Sequence, residues 1–184
     1  MMRTIRVAGG TVKNRPVRFH SNPGLRPTTS LVKNAIFNIV SPYLINPITL
    51  DLFAGSGALG IEALSRGAAF LDAVEENSLN CKTIKSNLQE LGFASISKVH
   101  QSRVEKKIPT LNGSYDLIIM DPPYSYPKTS EILENLAHSP ILNTGGILVL
   151  EHSSPSEFPE TLGSLCLIRC AKHGETSLTI YIKE

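Results

Sequence analysis

From residue 48 onwards, short apolar runs alternate with segments of helical periodicity, and this alternation restricts the fold more than any other feature of the sequence. The pattern predicts strands at residues 48–53, 69–74, 97–100, 116–120 and 146–150, and helices at 58–66, 78–91 and 129–137. Strands separated by helices pair in parallel, and the helices cover the sheet. Two further apolar runs, at 165–170 and 177–182, flank His173-Gly174 and predict an antiparallel pair. We therefore expect an α/β fold with a doubly wound, mostly parallel sheet and two antiparallel C-terminal strands.

The first 47 residues follow a different pattern. Two short strands are predicted at residues 4–8 and 12–19, on either side of Gly9-Gly10. Prolines and a glycine between residues 23 and 27 interrupt regular structure. Apolar residues at helical spacing follow from residue 28 to about residue 44, with Thr28, Thr29 and Ser30 as candidate N-caps. Because 184 residues suit one hydrophobic core, we expect a β-hairpin extension at 1–27 and one main domain at 28–184.

Charge is distributed unevenly, although the formal net charge is only +2. The first 50 residues contain no Asp or Glu, whereas all 16 acidic residues lie after residue 50. The seven basic residues of this segment are Arg3, Arg6, Lys13, Arg15, Arg18, Arg26 and Lys33. A basic segment beside a mildly acidic body is typical of a protein that binds a polyanion. All of the seven except Lys33 are therefore candidate contacts to a nucleic acid.

Several classes of protein are disfavoured. No apolar run reaches the roughly 18 residues of a membrane helix, and basic residues interrupt the N-terminal segment where a signal peptide needs an apolar core. Cys81, Cys166 and Cys170 form no CxxC pair, and no His lies at metal-ligand spacing. We therefore expect a monomeric cytoplasmic protein with reduced thiols that binds neither a metal nor a membrane.

A glycine-rich loop joins the first strand of the predicted sheet to its helix. Gly55, Gly57 and Gly60 match G-x-G-x-x-G, in which glycines permit a tight turn, close approach of a ligand and close helix packing. Glu75 lies 20 residues after Gly55, at the end of the next strand, where a carboxylate can accept both hydroxyls of a ribose. The loop predicts a nucleoside-containing cofactor, and nicotinamide and flavin dinucleotides are compatible with it.

Asp51, directly before the loop, favours one type of cofactor. A carboxylate at this position repels a pyrophosphate, whereas it suits a ligand that carries an ammonium and a sulfonium. S-adenosylmethionine carries both groups, together with an adenosine whose ribose Glu75 could hold and whose adenine would lie near Ser102 or Arg103. The candidate cofactor-binding residues are Asp51, Phe53, Ala54, Gly55, Ser56, Gly57, Gly60, Glu75 and Ser102.

The sequence Asp121-Pro122-Pro123-Tyr124 directly follows the apolar strand at 116–120, so it is expected to face the same cleft as the glycine loop. Prolines stiffen the turn and lack N–H donors, so the Asp121 carboxylate and the Pro122 carbonyl can each accept a hydrogen from an amino group. These acceptors would aim the lone pair of a weakly nucleophilic aromatic amine at a methyl donor. Stacking on Tyr124 is worth roughly 1–3 kcal/mol. All four residues are candidate catalytic residues for amino methylation.

Taken together, the motifs resemble those of a known enzyme family. Arg6-Val7-Ala8-Gly9-Gly10, Gly24-Leu25-Arg26-Pro27-Thr28-Thr29, the glycine loop and the Asp-Pro-Pro-Tyr sequence occur in this order. The order resembles the bacterial methyltransferases that modify a guanine N2 in 16S rRNA, and the similarity runs from about Arg3 to the end of the chain. The resemblance implies a Rossmann-like class I methyltransferase fold, an N-terminal hairpin that contacts RNA, and S-adenosylmethionine as cofactor. It also implies that the substrate is a small ribosomal subunit or its assembly intermediate.

The chain departs from that family pattern at two places. Residues 30–34 read Ser-Leu-Val-Lys-Asn, where the family often has Asp-Arg-Val-Arg-Glu. Ser102 stands where Asp or Asn is usual. These departures concern the first helix and the adenine contact, and neither touches the transfer chemistry.

Other functions remain open at the level of the sequence. DNA adenine and protein-glutamine methyltransferases use the same chemistry, although 184 residues leave little room for a DNA-recognition region and glutamine enzymes usually carry Asn in place of Asp121. Asp51 disfavours a dinucleotide-dependent redox enzyme, and the intact motifs disfavour a catalytically idle RNA-binding assembly factor. His152 is expected to be a hydrogen-bonded residue at a strand end, and Arg26 to clamp a phosphate, border the cofactor or pack at a helix end.

Overall fold

The computed structural model describes residues 1–21, 28–153 and 158–184, so Arg26 lies outside the described residues. A hairpin of β1 (Met2–Arg6) and β2 (Pro16–His20) precedes the main sheet. The main sheet contains β3 (Ile48–Leu52), β4 (Phe70–Glu75), β5 (Ser97–Gln101), β6 (Tyr115–Met120), β7 (Leu142–Ser153), β8 (Thr161–Leu162), β9 (Leu165–His173) and β10 (Thr176–Lys183). The helices are α1 (Ser30–Val40), α2 (Ala58–Ser65), α3 (Ser78–Glu90), α4 (Val104–Lys107) and α5 (Thr129–His138). Among the helices in these ranges, none has the length and apolar character that crossing a bilayer requires.

The eight strands of the main sheet lie in the order β5-β4-β3-β6-β7-β10-β9-β8. Strands β3 to β7 pair in parallel, whereas β8, β9 and β10 pair antiparallel. The chain builds outwards from β3 to β5 and then returns to add β6 on the other side of β3. This reversal opens a crevice at the carboxyl ends of β3 and β6, where ligands of open α/β sheets bind. The predicted α/β fold class is confirmed.

Helices cover both faces of the sheet, and side chains alternate between the two faces along each strand. Leu50 and Leu52 of β3 pack in the core that α4 and α5 complete. The opposite face packs against α1, α2 and α3 in a second core, to which Val7 and Val17 from the hairpin region also belong. Asp51 projects from β3 towards the α2 side, and this direction places its carboxylate under the glycine loop.

Several predicted boundaries were wrong by a few residues. Helix α1 ends at Val40, not near residue 44, because Pro42 cannot donate the next helical hydrogen bond and the chain continues as a single 3-10 turn. Strand β7 begins at Leu142, before the Gly145-Gly146 pair that hid this part of the strand in the sequence pattern. The hairpin strands cover 2–6 and 16–20 instead of 4–8 and 12–19, because the intervening turn packs against α2, where Thr11 N donates to Ser65 O at 2.7 Å.

A buried ionic network joins the hairpin to α1 and α2. Glu62 of α2 is completely buried, and its carboxylate accepts a hydrogen bond from Ala8 N at 2.8 Å. Lys33 Nζ lies 3.3 Å from Glu62 Oε2 and donates to the Arg6 carbonyl at 2.8 Å. Arg66 Nε lies 2.8 Å from Glu62 Oε1. Because Lys33 is only 1% exposed, it belongs to this network and not to a nucleic-acid surface.

Two further contacts hold the hairpin against the helices. The side-chain amide of Asn87 in α3 accepts from Arg18 N at 3.1 Å and donates to Arg18 O at 2.8 Å, which satisfies the outer edge of β2. Gly10 adopts a φ of +79°, and a Cβ at this position would lie 1.8 Å from Ser65 O. Only glycine therefore allows this close approach of the turn to the end of α2.

Candidate active site

The glycine loop connects the carboxyl end of β3 to the first turn of α2. Gly57 adopts a left-handed φ of +75° directly before α2, a conformation that favours glycine. Phe53 is also left-handed, with a φ of +62°, and its ring meets that of Tyr126 edge-on at a centroid distance of 4.9 Å. A Cβ on Gly60 would lie 2.8 Å from the Leu71 side chain, so this glycine permits the close packing of α2 on the sheet.

Asp51 is a buried anchor of this loop. Its Oδ2 accepts a hydrogen bond from Gly60 N at 2.8 Å, and the residue is 1% exposed. Burial is the main reason that the pKa of Asp51 is raised to about 7; the Gly60 hydrogen bond opposes the shift, and the nearby carboxylates of Asp121 and Glu75 add to it. Asp51, which we expect to attract a cation, therefore lies in a cluster of carboxylates. A cationic ligand bound beside this cluster would favour the ionised form of its members.

Glu75, at the end of β4, binds the glycine loop to the start of α3. Its Oε2 accepts from Gly55 N at 2.8 Å. Its Oε1 accepts from Asn77 N at 2.8 Å and from Asn80 Nδ2 at 3.3 Å. A carboxylate offers about four lone-pair positions, and three are used here. Glu75 therefore organises the loop and retains capacity for one further donor, where the sequence led us to expect room for both ribose hydroxyls.

Ser102 follows β5 at the same edge of the sheet. Its amide donates to Glu75 O at 3.0 Å, which aligns the two strand ends. Its hydroxyl donates to the Arg103 carbonyl at 3.1 Å and is therefore engaged locally. Through its backbone, Ser102 therefore aligns the ends of β4 and β5. Its contact with the adenine of a cofactor stays a prediction.

The Asp-Pro-Pro-Tyr sequence begins where β6 ends, beside the glycine loop. Asp121 N donates to Leu52 O at 3.4 Å, which links the motif to the last residue of β3. The Asp121 carboxylate accepts from the hydroxyl of Thr28 at 3.1 Å. Burial raises the pKa of Asp121 to about 7, against the opposing effect of the Thr28 hydrogen bond. The two motifs found in the sequence therefore meet at one crevice.

The prolines of this motif have different surroundings. Pro123 O accepts from Tyr126 N at 2.7 Å, so this carbonyl closes the turn. Within the described ranges no hydrogen bond reaches the carbonyl of Pro122, a buried residue. Pro122 is therefore the proline whose carbonyl is available as an acceptor, and its role in holding an amino hydrogen stays a prediction.

Tyr124 is 46% exposed, as a stacking platform requires. Its hydroxyl lies 2.7 Å from Thr176 Oγ1, at the start of β10. This contact joins the motif to the antiparallel hairpin of β9 and β10. Sequence reasoning missed Thr176, since a contact between residues 52 positions apart leaves no local pattern.

His152 lies at the end of β7 and is 7% exposed. Its Nε2 lies 2.8 Å from Thr179 Oγ1 and its Nδ1 lies 3.0 Å from Ser153 O, so both ring nitrogens have protein partners. Burial lowers the pKa of His152, which keeps the ring neutral. This environment is the structural role expected from the sequence.

The described basic residues of the hairpin region, Arg3, Arg6, Lys13, Arg15 and Arg18, are all exposed. Arg18 Nη1 forms an ion pair with Glu90 Oε1 at 2.5 Å, so part of its charge is neutralised. The turn that carries Lys13 packs at the C-terminal end of α2, whereas the glycine loop lies at the N-terminal end. An eight-residue helix is about 12 Å long, so this turn lies about 12 Å from the glycine loop side of the crevice.

Among the described residues, no cluster of His, Cys, Asp and Glu could hold a metal ion.

Comparison with known proteins identifies the family of this chain. The family model described as "Conserved hypothetical protein 95" matches residues 5–182. The chain belongs to this family. A candidate rRNA methyltransferase of Bacillus subtilis, YlbH, is 36% identical over 182 residues, which cover 97% of this chain and 99% of that protein. The ribosomal RNA small subunit methyltransferase D of Buchnera aphidicola is 39% identical over 134 residues, covering 71% of this chain and 70% of that enzyme.

The solved structures agree with this assignment. A candidate methyltransferase of Escherichia coli, yhhF, superimposes with a TM-score of 0.84 at 30% sequence identity. The match covers 99% of both chains, so it includes the N-terminal hairpin as well as the main sheet. The Rossmann-like methyltransferase fold is therefore confirmed for the part of the chain that the structure describes.

Proposed function

We propose that this protein transfers a methyl group from S-adenosylmethionine to the exocyclic N2 amino group of a guanine in 16S rRNA. The observation that carries the proposal is that the Asp-Pro-Pro-Tyr sequence starts beside the glycine loop: the backbone N–H of Asp121 donates to Leu52 O at the end of β3, where that loop begins. Relatives named as small-subunit rRNA methyltransferases support methylation of that rRNA. The choice of guanine N2 rests on the resemblance of the motifs and on the chemistry of Asp121.

The crevice suits a cofactor that carries positive charge. Burial raises the pKa of Asp51, and the nearby carboxylates of Asp121 and Glu75 raise it further. A bound sulfonium and ammonium would offset this repulsion, whereas a pyrophosphate would increase it. When bound, S-adenosylmethionine supplies the electrophilic methyl group. Glu75 would hold a ribose hydroxyl with its remaining lone pair, and the backbone of residues 53–57 would border the adenosine.

The catalytic residues would act mainly by orientation. An aromatic amine is a poor nucleophile because its lone pair is delocalised into the ring. Asp121 and the Pro122 carbonyl would each accept one amino hydrogen, which favours a pyramidal nitrogen with its lone pair directed at the methyl donor. The ring of Tyr124 would stack on the base, and the contact with Thr176 holds that ring in place. The nitrogen becomes positively charged on methylation, and its proton would pass to Asp121 or to water.

The target base would have to leave its stack to reach this crevice. The exposed basic residues of the hairpin would bind the phosphate backbone away from the transfer site, in the RNA of a small subunit or an assembly intermediate. Residues 1–27 would thus form the RNA-contact extension and residues 28–184 the catalytic domain. This division concerns function only, because Val7 and Val17 are part of the common core.

The proposal is tested by methyl transfer from labelled S-adenosylmethionine to small subunits from cells that lack this protein, followed by identification of the modified nucleotide. We expect N2-methylguanine in 16S rRNA. Label found only in DNA, in protein or on an adenine would overturn the assignment. The Asp121→Ala variant should lose transfer and keep its affinity for S-adenosylmethionine in calorimetry, and unchanged turnover would refute the role of Asp121.

The role of the hairpin is tested by the salt dependence of RNA binding. Replacing Arg3, Lys13 and Arg15 by Gln should weaken binding and lower the slope of log K against log salt by roughly 0.7–0.9 for each phosphate that the variant no longer neutralises. Arg18→Gln is the matched control, because Glu90 already neutralises part of this charge. A triple variant whose slope equals that of the control would show that the hairpin does not contact RNA.

A further inference from the structure

We propose that Thr28 is a positioning residue for methyl transfer: its hydroxyl holds one carboxylate oxygen of Asp121, so that the other oxygen is directed at the substrate amino group. The inference rests on the proposed function of Asp121 as the acceptor of an amino hydrogen. It assigns a positioning role to Thr28, for which the sequence predicted only a helix N-cap besides its place in the motif Gly24-Leu25-Arg26-Pro27-Thr28-Thr29.

The two threonines of this pair have separate partners. Thr29 Oγ1 accepts from Val32 N at 3.3 Å and is the N-cap of α1. Thr28 Oγ1 lies 3.1 Å from Asp121 Oδ2, across 93 positions of sequence. Thr28 is 7% exposed, so its hydroxyl is not simply solvated. The capping function is thus fulfilled by Thr29, which leaves Thr28 Oγ1 dedicated to the carboxylate.

Both ends of this hydrogen bond are held in place. On one side, Thr28 precedes α1, whose buried Lys33 is bonded to Arg6 O and Glu62. On the other side, Asp121 N is bonded to Leu52 O. The side-chain torsion that turns a carboxylate is broad and has no strongly preferred value. The Thr28 hydroxyl therefore selects one orientation of the Asp121 carboxylate, which the backbone alone does not specify.

The hydrogen bond also favours the charged form of the acceptor. Burial raises the pKa of Asp121, and the Thr28 hydrogen bond acts in the opposite direction. Asp51 on β3 and Glu151 on β7 are the acidic residues of the neighbouring strand ends, and the charge of Asp121 helps to raise the pKa of Asp51. These neighbouring carboxylates disfavour a negative charge on Asp121, whereas the Thr28 hydroxyl stabilises it by donating to Oδ2. The other carboxylate oxygen, Oδ1, stays available for the substrate amino group.

The test compares Thr28→Val, which has nearly the same shape but no hydroxyl, with Thr28→Ser, which retains one. We expect kcat of Thr28→Val to fall about 10-fold or more, because a hydrogen bond to a charged group is removed, with the KM for S-adenosylmethionine within about 2-fold of the wild type. Thr28→Ser should recover most of kcat. Carboxyl NMR should show the pKa of Asp121 rising in Thr28→Val and not in Thr28→Ser, because only the first variant removes the hydroxyl that lowers it.

Thr29→Val is the matched control, since it removes the cap of α1 and leaves the Asp121 contact intact. It should lower the melting temperature and keep the wild-type kcat. Equal kcat losses in Thr28→Val and Thr29→Val, or a wild-type kcat in Thr28→Val, would overturn the inference. If Thr28→Val does not fold, Thr28→Ala replaces it in the same comparison. An inactive wild-type protein would instead refute the proposed function.

Discussion

Replacing Glu62 by Gln should destabilise the protein far more than the same replacement at a surface position. Glu62 is completely buried and its carboxylate is shared by Lys33, Arg66 and the amide of Ala8. Gln keeps one acceptor oxygen, but it removes the negative charge and places an amide donor among donors. The side chain of Lys33 is 2% exposed and would then be a buried cation without its counter-charge.

The expected loss follows from this burial. Breaking a buried ion pair by removing one partner costs about 3–5 kcal/mol, mainly because the remaining charge stays desolvated. Folded domains are stable by about 5–15 kcal/mol, so a large fraction of the total would be lost. Glu90→Gln is the matched control: Glu90 pairs with Arg18, both side chains are more than 40% exposed, and such pairs contribute about 0.2–1 kcal/mol.

The assay is urea unfolding followed by circular dichroism, with hydrogen exchange of the Ala8 amide as a local measurement. Glu62→Gln should lower the free energy of unfolding by at least about 3 kcal/mol and Glu90→Gln by less than about 1 kcal/mol. Exchange at Ala8 should accelerate in the Glu62 variant, because that amide donates to Glu62 Oε2. Equal stability changes in the two variants would refute the view that this network holds the hairpin.

Two further predictions concern the crevice. The pKa of Asp51 is about 7 in the folded protein and close to 4 in an unfolded chain, so the folded state binds the extra proton between these values. The free energy of unfolding of the ligand-free protein should therefore fall as pH rises from about 4 to about 7. Asp51→Asn should reduce this fall. Parallel curves of the free energy of unfolding against pH in the wild type and Asp51→Asn would contradict a raised pKa of Asp51. Thr176→Val should release Tyr124 and raise the KM for RNA about 2- to 10-fold, from the loss of one neutral hydrogen bond. The affinity of Thr176→Val for S-adenosylmethionine should not change. In the control Thr161→Val, both the KM for RNA and the affinity for S-adenosylmethionine should equal those of the wild type. An unaltered KM for RNA in Thr176→Val would exclude Thr176 from base positioning.

Much of the fold could be predicted because its determinants are local. An apolar run such as that in β6 must be buried on both faces of a sheet, and the glycine loop after β3 has few alternative conformations. Element ends were harder to predict, because they depend on the backbone hydrogen bonds left after packing. Pro42 ended α1 earlier than its apolar spacing indicated, and the turn after β1 followed its contact with Ser65.

The site was predictable to the same extent. Asp51, Glu75 and Asp121 end or follow strands that meet at one edge, so their convergence followed from the parallel topology. Their partners did not follow, since contacts over long sequence separations have no periodicity. Thr28 and Thr176 were found only from the distances to Asp121 and Tyr124.

The sequence by itself determined the order of strands and helices, the two motifs and the excess of basic residues in the first 50 positions. Only the tertiary structure decided which of those charges face solvent. Lys33 reads as one more member of a basic segment, yet it is buried against Glu62, whereas Arg15 is exposed. The physical reason is that a charge is buried only where a counter-charge and hydrogen-bond acceptors converge on it, and that convergence is a property of the folded chain.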